Sequence, residues 1–283
     1  MSYNPGIHII ILNWNGSSVI KECIESVLSI DYPNKKIWLV DNGSNDNSVK
    51  IIESYENINL IKYDVNYGFA KGYNKAVDEI SQDSDILIDG KSYSGNDSYF
   101  MFLNNDTVVD SNILNSFAQE IQRFGERHIY GPLIFYDNPS NMIWYRGGEV
   151  DLDKATIKHV GLRDQKSHSL KVENTDFITG CCMLIHSSVF QELKGFNESL
   201  GMYNEDVDLC LRAKNIDVNC IFVPESILYH KISYSLGGNL SIVKIFYKIC
   251  STYRLFKLHD VSCGRFIFIK YILKSFRDYI FGK

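Results

Sequence analysis

The sequence predicts an α/β protein with a mostly parallel central sheet flanked by helices. Two observations carry this prediction. Over the first 110 residues, apolar runs of strand length alternate with stretches of helical period, which is typical of strands joined by right-handed helical crossovers. Several of the apolar runs are nearly continuous, as expected for strands covered on both faces. The chain of 283 residues, 45% hydrophobic, is long enough to bury a sizeable core.

Each element of the first half has its own signal. Apolar runs predict four strands, at residues 7–12, 37–40, 58–62 and 99–103. Helical spacing of apolar residues predicts four helices, at residues 18–28, 48–55, 70–80 and 113–124. Ser17 or Ser18 is expected to cap the first of them. The polar stretch from Ser81 to Ser98 is interpreted as an inserted loop with an apolar island at 86–88.

The second half is less regular. It predicts strands at residues 129–135, 177–185 and 220–223, and helices at residues 188–193 and 206–214. Near the C-terminus, Ile269 and Phe276 lie on an apolar helical stripe, while Lys270 and Arg277 lie on a basic one. This pattern predicts a basic amphipathic helix.

Composition excludes some classes of partner. A formal net charge of −5 argues against a dedicated nucleic-acid binder, which needs a basic footprint. Residues 241–283 nevertheless carry nine Lys and Arg against two Asp. The seven cysteines include no C-x-x-C pair, which indicates a reducing compartment. With no signal-peptide pattern and no apolar run near ~18 residues, we expect a cytoplasmic protein, either free or lying on the inner face of the plasma membrane.

Several common site motifs are absent from the sequence. There is no G-x-G-x-x-G, no G-x-x-x-x-G-K-[ST] and no H-E-x-x-H. Dehydrogenase, P-loop and dedicated zinc sites are therefore not expected.

Polar residues follow three of the predicted strands. They are Asn13, Asp41 and the group 104–106, and ligands gather at the carboxyl ends of parallel strands. Asp41 could accept hydrogen bonds from a nucleotide, or it could simply form a turn. Asp106 suits a divalent cation completed by substrate phosphates, or the N-cap of the helix at 113–124.

A second acidic group opens the predicted helix at 206–214. Three acids, Glu205, Asp206 and Asp208, fall within four residues, more than the helix dipole alone explains. Close carboxylates raise each other's pKa, so one of them could act as a general base near neutral pH. His230, followed by Lys231, serines and glycines, could close over phosphates, or it could be structural.

The order of these motifs resembles the family-two inverting glycosyltransferases of GT-A fold, particularly the rhamnosyltransferase-like branch of bacterial polysaccharide synthesis. Between Ile7 and Gly238 the sequence reads, in order, IIILNWNG, LVDNGSNDNS, NYGFAKGYN, FLNNDT, FITGCCMLI, GMYNEDVDLCLRA and VPESILYHKISYS. The resemblance implies a GT-A domain with a Rossmann-like sheet at residues 1–240. Residues 1–110 would be its nucleotide-binding half and 111–240 its acceptor and catalytic half, followed by a basic amphipathic helical tail at 241–283.

The resemblance also implies roles for individual residues. The nucleotide-sugar donor, a dTDP- or UDP-sugar, would be bound by Asn13, Asp41, Asn66, Gly68, Phe69, Asn105 and His230. Mn²⁺ or Mg²⁺ would be held by Asp106 and His230, and Asp206 would be the catalytic base, with Glu205 beside it. The acceptor would be a glycan or a lipid-linked sugar. The basic tail would contact anionic lipid, unless it covers the domain or a dimer surface.

Three features depart from the family pattern. Asn104 replaces the first carboxylate of the D-x-D motif, so the cation is expected to bind only together with the nucleotide. Lys71 replaces a common glycine, and the insertion from Ser81 to Ser98 is longer than expected. The weakened D-x-D leaves open a non-catalytic nucleotide-sugar or glycan-binding relative. A nucleotidyltransferase would need a basic glycine-rich loop after the first strand, and Asn13-Trp14-Asn15-Gly16 provides none.

Overall fold

The structure is a computed structural model that describes residues 4–82, 86–88, 91–93, 98–154, 156–165, 170–231, 242–259 and 272. Its strands are β1 (Ile7–Asn13), β2 (Lys35–Asn42), β3 (Asn59–Tyr63), β4 (Ile86–Ile88), β5 (Lys91–Tyr93), β6 (Tyr99–Asn104), β7 (Thr107–Val109), β8 (His128–Tyr136), β9 (Ile143–Tyr145), β10 (Gly148–Asp151), β11 (Thr156–His159), β12 (Glu173–Thr175), β13 (Cys182–His186) and β14 (Asn219–His230). Its helices are α1 (Ile20–Leu28), α2 (Ser48–Ile52), α3 (Phe69–Gln82), α4 (Ile113–Phe124), α5 (Ser187–Glu192), α6 (Glu205–Lys214) and α7 (Ile242–Leu258), with a 3₁₀ turn at Glu198–Leu200.

A ten-stranded sheet organises the fold, in the order β12-β14-β8-β13-β6-β1-β2-β3, with β7 on β14 and β9 on β8. Strands β3, β2, β1 and β6 run parallel, and β14 runs parallel to β8. Flanking helices bury apolar faces against this sheet, so the predicted α/β fold with a mostly parallel sheet is confirmed. Strand β1, for example, buries Ile7, Ile9, Ile10 and Ile11 completely.

One antiparallel strand brings the two halves of the chain together. Strand β13 lies between β6 and β8 and is antiparallel to both. Its first residue, Cys182, therefore pairs with Leu103 near the carboxyl end of β6. At the end of β14, His230 pairs with Thr107 of β7. The sheet thus places the loop before β13 and the end of β14 beside the 104–106 turn.

An aromatic cluster joins α3 to the second half. The Phe69 ring lies 4.8 Å from that of Tyr73 and 5.4 Å from that of Phe196, both edge-on. Phe102 of β6 lies 5.0 Å from both Tyr73 and Phe196. Edge-to-face pairs at these distances stabilise a core beyond their burial. The cluster fixes the start of α3 against the body of the second half.

Three sequence predictions are corrected. Helix α1 begins at Ile20 with Val19 as N-cap and no side-chain cap, because the amides of Val19 and Ile20, which a Ser17 cap would bind, donate to the Gly16 carbonyl instead. The strand predicted at 177–185 begins only at Cys182, since the amides of Ile178 and Gly180 donate to side chains of α6. The strand predicted at 220–223 continues to His230.

Short elements account for the rest of the differences. The apolar island at 86–88 is a strand that pairs antiparallel with residues 91–93. Strands β9 to β12 have three or four residues each and were not predicted. Among the described residues no helix has the length and apolarity needed to cross a membrane. The stripe predicted at residues 269–277 falls outside the described residues, apart from residue 272.

Candidate active site

Asn13 connects the carboxyl ends of three strands. It is completely buried at the end of β1, and its Nδ2 donates to Asp41 Oδ1 at 3.1 Å and to Ser44 Oγ at 3.3 Å. Its Oδ1 accepts from Asn105 Nδ2 at 2.8 Å. One side chain therefore holds the ends of β1, β2 and β6 in a fixed arrangement.

The surroundings of Asn13 leave no room for a larger side chain at Gly16. A Cβ there would lie 2.3 Å from both Asn105 Nδ2 and Asn13 Oδ1, well inside van der Waals contact. Asp41 meanwhile accepts the Ser44 amide at 3.0 Å through Oδ2. Asp41 thus forms the turn that the sequence allowed and is also part of the buried polar cluster.

A second polar group shapes the loop before α3, and its central residue was not predicted. Asn42 is buried, and its Nδ2 donates to Asn66 Oδ1 at 3.0 Å and to the Gly68 carbonyl at 3.1 Å. Its Oδ1 accepts the Tyr67 amide at 2.9 Å. Gly68 has φ +77°, a conformation that favours glycine. Asn42 therefore holds Asn66 and Gly68, two residues predicted to bind a nucleotide sugar.

Phe69 lies between α3 and the loop before β13. A Cβ placed on Gly180 would lie 2.8 Å from Phe69 Cζ and 3.5 Å from Asp206 Cβ. The partly buried Phe69 ring therefore packs between the start of α3 and the loop that bonds to Asp206.

Asp106 and His230 form the second predicted pair. Asp106 Oδ1 lies 3.1 Å from His230 Nε2, and both side chains are buried. The Lys231 amide donates to the Asp106 carbonyl at 2.8 Å. Helix α4 begins at Ile113 with Asn112 as N-cap, so Asp106 is not a helix cap. The backbone and side-chain contacts join the end of β14 to the turn after β6.

The His230 ring is confined on its other side. The Trp144 ring contacts it edge-on, with centroids 4.5 Å apart, and the His230 Nδ1 is buried without a hydrogen-bond partner. Trp144 also contacts His159 at 4.5 Å. Burial, together with positive charge nearby, lowers the pKa of His159 to about 4, so this ring is neutral near pH 7.

The pair fits a divalent cation only in part. In the portion of the chain that the structure describes, no group of three or more His, Cys, Asp and Glu side chains is arranged to hold a metal. Mg²⁺-type sites commonly use one or two carboxylates and take further oxygens from substrate phosphates. Asp106 with His230 would fit such a site if phosphate oxygens of a substrate supplied the remaining ligands.

The acidic group at the start of α6 has two differently placed carboxylates. Asp206 Oδ2 accepts the Gly180 amide at 2.8 Å, and its Oδ1 accepts the Val207 amide at 2.8 Å. Glu205 Oε2 is buried without a partner. Burial raises the pKa of Asp206, while burial and then the charge of Asp206 raise the pKa of Glu205 to about 8. Near pH 7 the neutral form is therefore favoured at Glu205.

The residues before β13 connect the two carboxylate sites. The Cys181 carbonyl accepts the Asn104 amide at 3.0 Å, at the start of the 104–106 turn, and the preceding residue, Gly180, donates its amide to Asp206. The Cys181 thiol is buried, and burial, more than the nearby Asp106 and Asp206, raises its pKa. Asp106 and Asp206 are 100 positions apart in the sequence.

The fold is the GT-A fold of glycosyltransferases. The family model for "Glycosyl transferase family 2" matches residues 8–194. The chain belongs to that family, and the resemblance inferred from its motifs is confirmed.

Curated relatives agree with this family. The chain is 26% identical over 275 residues to the rhamnosyltransferase WbbL of Escherichia coli K12, covering 95% of each. It is 22% identical over 218 residues to an N-acetylglucosaminyl-diphospho-decaprenol L-rhamnosyltransferase of Mycobacterium tuberculosis, covering 71% of this chain and 68% of the relative.

Solved structures share the fold. GalNAc-T7, solved with UDP, GalNAc and Mn²⁺, matches with a TM-score of 0.67 at 16% identity over 91% of this chain and 48% of its own. The mannosyltransferase PcManGT of Pyrobaculum calidifontis, solved with GDP-Man and Mn²⁺, matches with a TM-score of 0.63 at 14% identity over 98% of this chain and 70% of its own.

Proposed function

We propose that this chain transfers a sugar from a dTDP- or UDP-sugar to a hydroxyl group of a glycan or lipid-linked acceptor in bacterial surface-polysaccharide synthesis. The anomeric configuration inverts. The observation that carries the proposal is a pair of carboxylates with different partners, Asp106 with His230 and Asp206 with the Gly180 amide. The hydrogen bond from the Asn104 amide to the Cys181 carbonyl joins their two loops. The names of the two rhamnosyltransferase relatives support the substrate class.

The donor nucleotide would lie along the ends of β1, β2 and β6. Asn13, Asp41 and Asn105 form a bonded cluster there, and the loop at 66–68 is held beside it by Asn42. A cluster whose side chains are already hydrogen-bonded to one another loses little conformational freedom on binding. We infer that these residues place the base and ribose.

Asp106 and His230 would hold Mn²⁺ or Mg²⁺ together with the donor diphosphate. The bound cation would neutralise negative charge as the nucleoside diphosphate departs. Asn105 donates to Asn13, so it supports the donor site and is not expected to be a cation ligand. The buried, unpartnered Nδ1 of His230 leaves the ring free of competing bonds on that side.

Asp206 would act as the general base. Its carboxylate accepts two backbone amides, and such bonds favour the charged form. Glu205 lacks a partner on Oε2, so the proton shared by the pair stays on Glu205. The acceptor oxygen gives its proton to Asp206 and bonds to the anomeric carbon. The bond from that carbon to the diphosphate oxygen breaks, and its electron pair leaves with the nucleoside diphosphate.

The substitution Asp206→Asn tests this assignment. General-base catalysis contributes about 10²–10⁴-fold, so we expect a loss of that size in transfer from labelled UDP- and dTDP-sugars to polyprenyl diphosphate-linked acceptors. Binding of the nucleoside diphosphate should stay within about twofold of wild type, since the amide can still accept from Gly180. Asp153→Asn, at an exposed position, is the matched control.

Two outcomes would contradict the proposal. Wild-type turnover by Asp206→Asn would mean that Asp206 is not the general base. A wild-type chain that binds nucleotide sugar but transfers nothing to any acceptor, and does not hydrolyse the donor, would favour the non-catalytic relative that Asn104 in the D-x-D position leaves open.

We also propose peripheral contact with the inner face of the plasma membrane. On α7, Phe246 and Tyr253 are 64% and 52% exposed and lie seven residues apart on one face, with exposed Lys257 one turn beyond Tyr253. Aromatic and basic side chains together suit the surface of an anionic bilayer.

Vesicle co-sedimentation tests this contact. The full chain should co-sediment with phosphatidylglycerol vesicles and not with phosphatidylcholine vesicles, and the double variant Phe246→Ser, Tyr253→Ser should bind the phosphatidylglycerol vesicles less. Unchanged binding would contradict this contact.

A further inference from the structure

The loop that leads into the acidic group has an unusual backbone. Tyr203 and Asn204, the two residues before Glu205, both adopt positive φ angles, 74° and 63°. Neither is glycine, and a left-handed conformation is unfavourable for residues with a Cβ. Two such residues in succession persist only when the surrounding structure holds them. The start of α6, and with it the direction of the Glu205 and Asp206 side chains, depends on this pair.

Helix α7 holds the left-handed pair through two hydroxyl groups. Asn204 Nδ2 donates to Thr252 Oγ1 at 3.1 Å and to Ser251 Oγ at 3.3 Å. The Ser251 hydroxyl in turn donates to the Tyr203 carbonyl. Ser251 and Thr252 are each only 1% exposed. These contacts span about fifty positions of sequence and satisfy buried polar atoms on both sides.

Other contacts anchor α7 independently of these hydroxyls. Leu255 and Phe256 are buried in the core-facing side of the helix. Arg254 Nη1 donates to the carbonyls of Ser199 and Leu200 at 3.2 and 3.3 Å. We therefore expect the helix to stay docked when the two hydroxyls are removed. The bonds that reach the left-handed pair are lost with them.

We propose that Ser251 and Thr252 are positioning residues for the catalytic carboxylates. They hold Tyr203 and Asn204 in the left-handed conformation, which starts α6 at Glu205 and directs the Asp206 carboxylate to the Gly180 amide. The proposal rests on the proposed role of Asp206. It assigns α7 an indirect part in catalysis, separate from any contact of its outer face with lipid.

The test compares two variants that each remove hydrogen bonds of α7. The variant Ser251→Ala with Thr252→Val loses the bonds to the left-handed pair. The matched control, Arg254→Gln, loses the bonds to the 3₁₀ turn and leaves the pair untouched. We expect kcat to fall at least tenfold in the first variant with the donor KM within twofold, and to stay within twofold of wild type in the control.

Amide hydrogen exchange provides a readout that does not depend on transfer. The amides of Gly180 and Val207 both donate to Asp206, so a displaced carboxylate exposes them. Their exchange should quicken at least tenfold in the double variant and remain near wild type in Arg254→Gln. If the wild-type chain proves to lack transfer activity, faster exchange in the double variant would still support the positioning role. The exchange measurement therefore distinguishes failure of the proposed function from failure of the positioning role.

Equal kcat and equal exchange in the double variant and the control would overturn the proposal. If the double variant fails to fold, single substitutions replace it. Thr252→Ser keeps the hydroxyl and should retain kcat within about twofold of wild type, while Thr252→Val should lower it with little change in donor KM. Indistinguishable Ser and Val variants would overturn the proposal equally.

Discussion

The contact between Asn13 and Asp41 makes Asn13→Asp an informative substitution. The change is isosteric, so it creates no cavity, and the new carboxylate keeps the acceptor that Asn105 uses. The atom replacing Nδ2 becomes an oxygen 3.1 Å from Asp41 Oδ1. Both side chains are almost fully buried, 0% and 3% exposed. Two carboxylates in contact there cannot both ionise without a large penalty.

The size of the penalty follows from the distance. At 3.1 Å, two unit charges repel by about 5 kcal/mol with an effective dielectric constant of about 20. Protonating one ordinary Asp instead, with a pKa of about 3.9, costs roughly 1.5 kcal/mol at pH 5 and about 5 kcal/mol at pH 7.5. The pair therefore holds one proton in the folded variant to a pH near 8. Its folded pKa is raised, so stability present at low pH is lost as the pH rises.

Urea unfolding followed by circular dichroism measures this effect. The variant should lose about 3 kcal/mol more of its free energy of unfolding, relative to wild type, at pH 7.5 than at pH 5. Asn15→Asp, in the same loop at an exposed position, should change by less than about 0.5 kcal/mol at either pH. An Asn13→Asp penalty that is the same at both pH values would refute the assigned contact between Asn13 and Asp41.

Three further predictions concern the same site. Asn42→Ala removes its three bonds to the loop before α3, so the free energy of unfolding should fall by about 2–3 kcal/mol and calorimetry should show weaker nucleoside diphosphate binding. Glu205→Gln removes a carboxyl whose pKa is raised to about 8. Because the folded protein holds this proton more tightly than the unfolded chain, the free energy of unfolding of the wild type should decline as the pH rises from about 4.5 to 8. Urea unfolding should show that the variant lacks this decline. Gly16→Ala places a Cβ 2.3 Å from atoms of Asn13 and Asn105, so thermal melting should show a lower Tm, and nucleotide binding should weaken.

Each of these predictions has a result that contradicts it. Unchanged nucleotide affinity in Asn42→Ala would mean that the loop before α3 does not contribute to nucleotide binding. A wild-type stability decline that survives in Glu205→Gln would assign the titration to another group. A Gly16→Ala chain with wild-type Tm would mean that the buried amide cluster has more space than the structure gives it.

The sequence predicted the features that depend on local pattern. Continuous apolar runs such as 7–12 and 99–103 match buried strands of the parallel sheet. The polar residues after these strands, Asn13 and 104–106, do meet at one edge, because parallel strands end on the same side. The pairing of Asp106 with His230 rested on the family resemblance, since 124 positions separate the two residues.

Tertiary contacts decided what the sequence did not predict. The apolar run at 177–185 has the composition of a strand, but the amides of Ile178 and Gly180 bond to α6 side chains. Asn42 directly follows Asp41, which was a predicted site residue. Nothing in the local sequence showed that Asn42 bonds to the 66–68 loop, because an Asn at this position is equally typical of a turn. The left-handed pair before Glu205 carries no glycine signal, because its conformation is held by α7 from a distant part of the chain.

The proposed function depends most on Asp106, which with His230 would bind the diphosphate of a nucleotide-sugar donor through a divalent cation. A thermal-shift panel of UDP, dTDP, GDP and CMP, each with and without Mn²⁺, tests it most directly. A ligand at ~100 times its Kd stabilises by about 2.7 kcal/mol, so UDP or dTDP should raise the Tm only with Mn²⁺, and Asp106→Asn should lose that shift while Asp153→Asn keeps it. No shift with any nucleotide, or the same shift without the cation, would contradict the account.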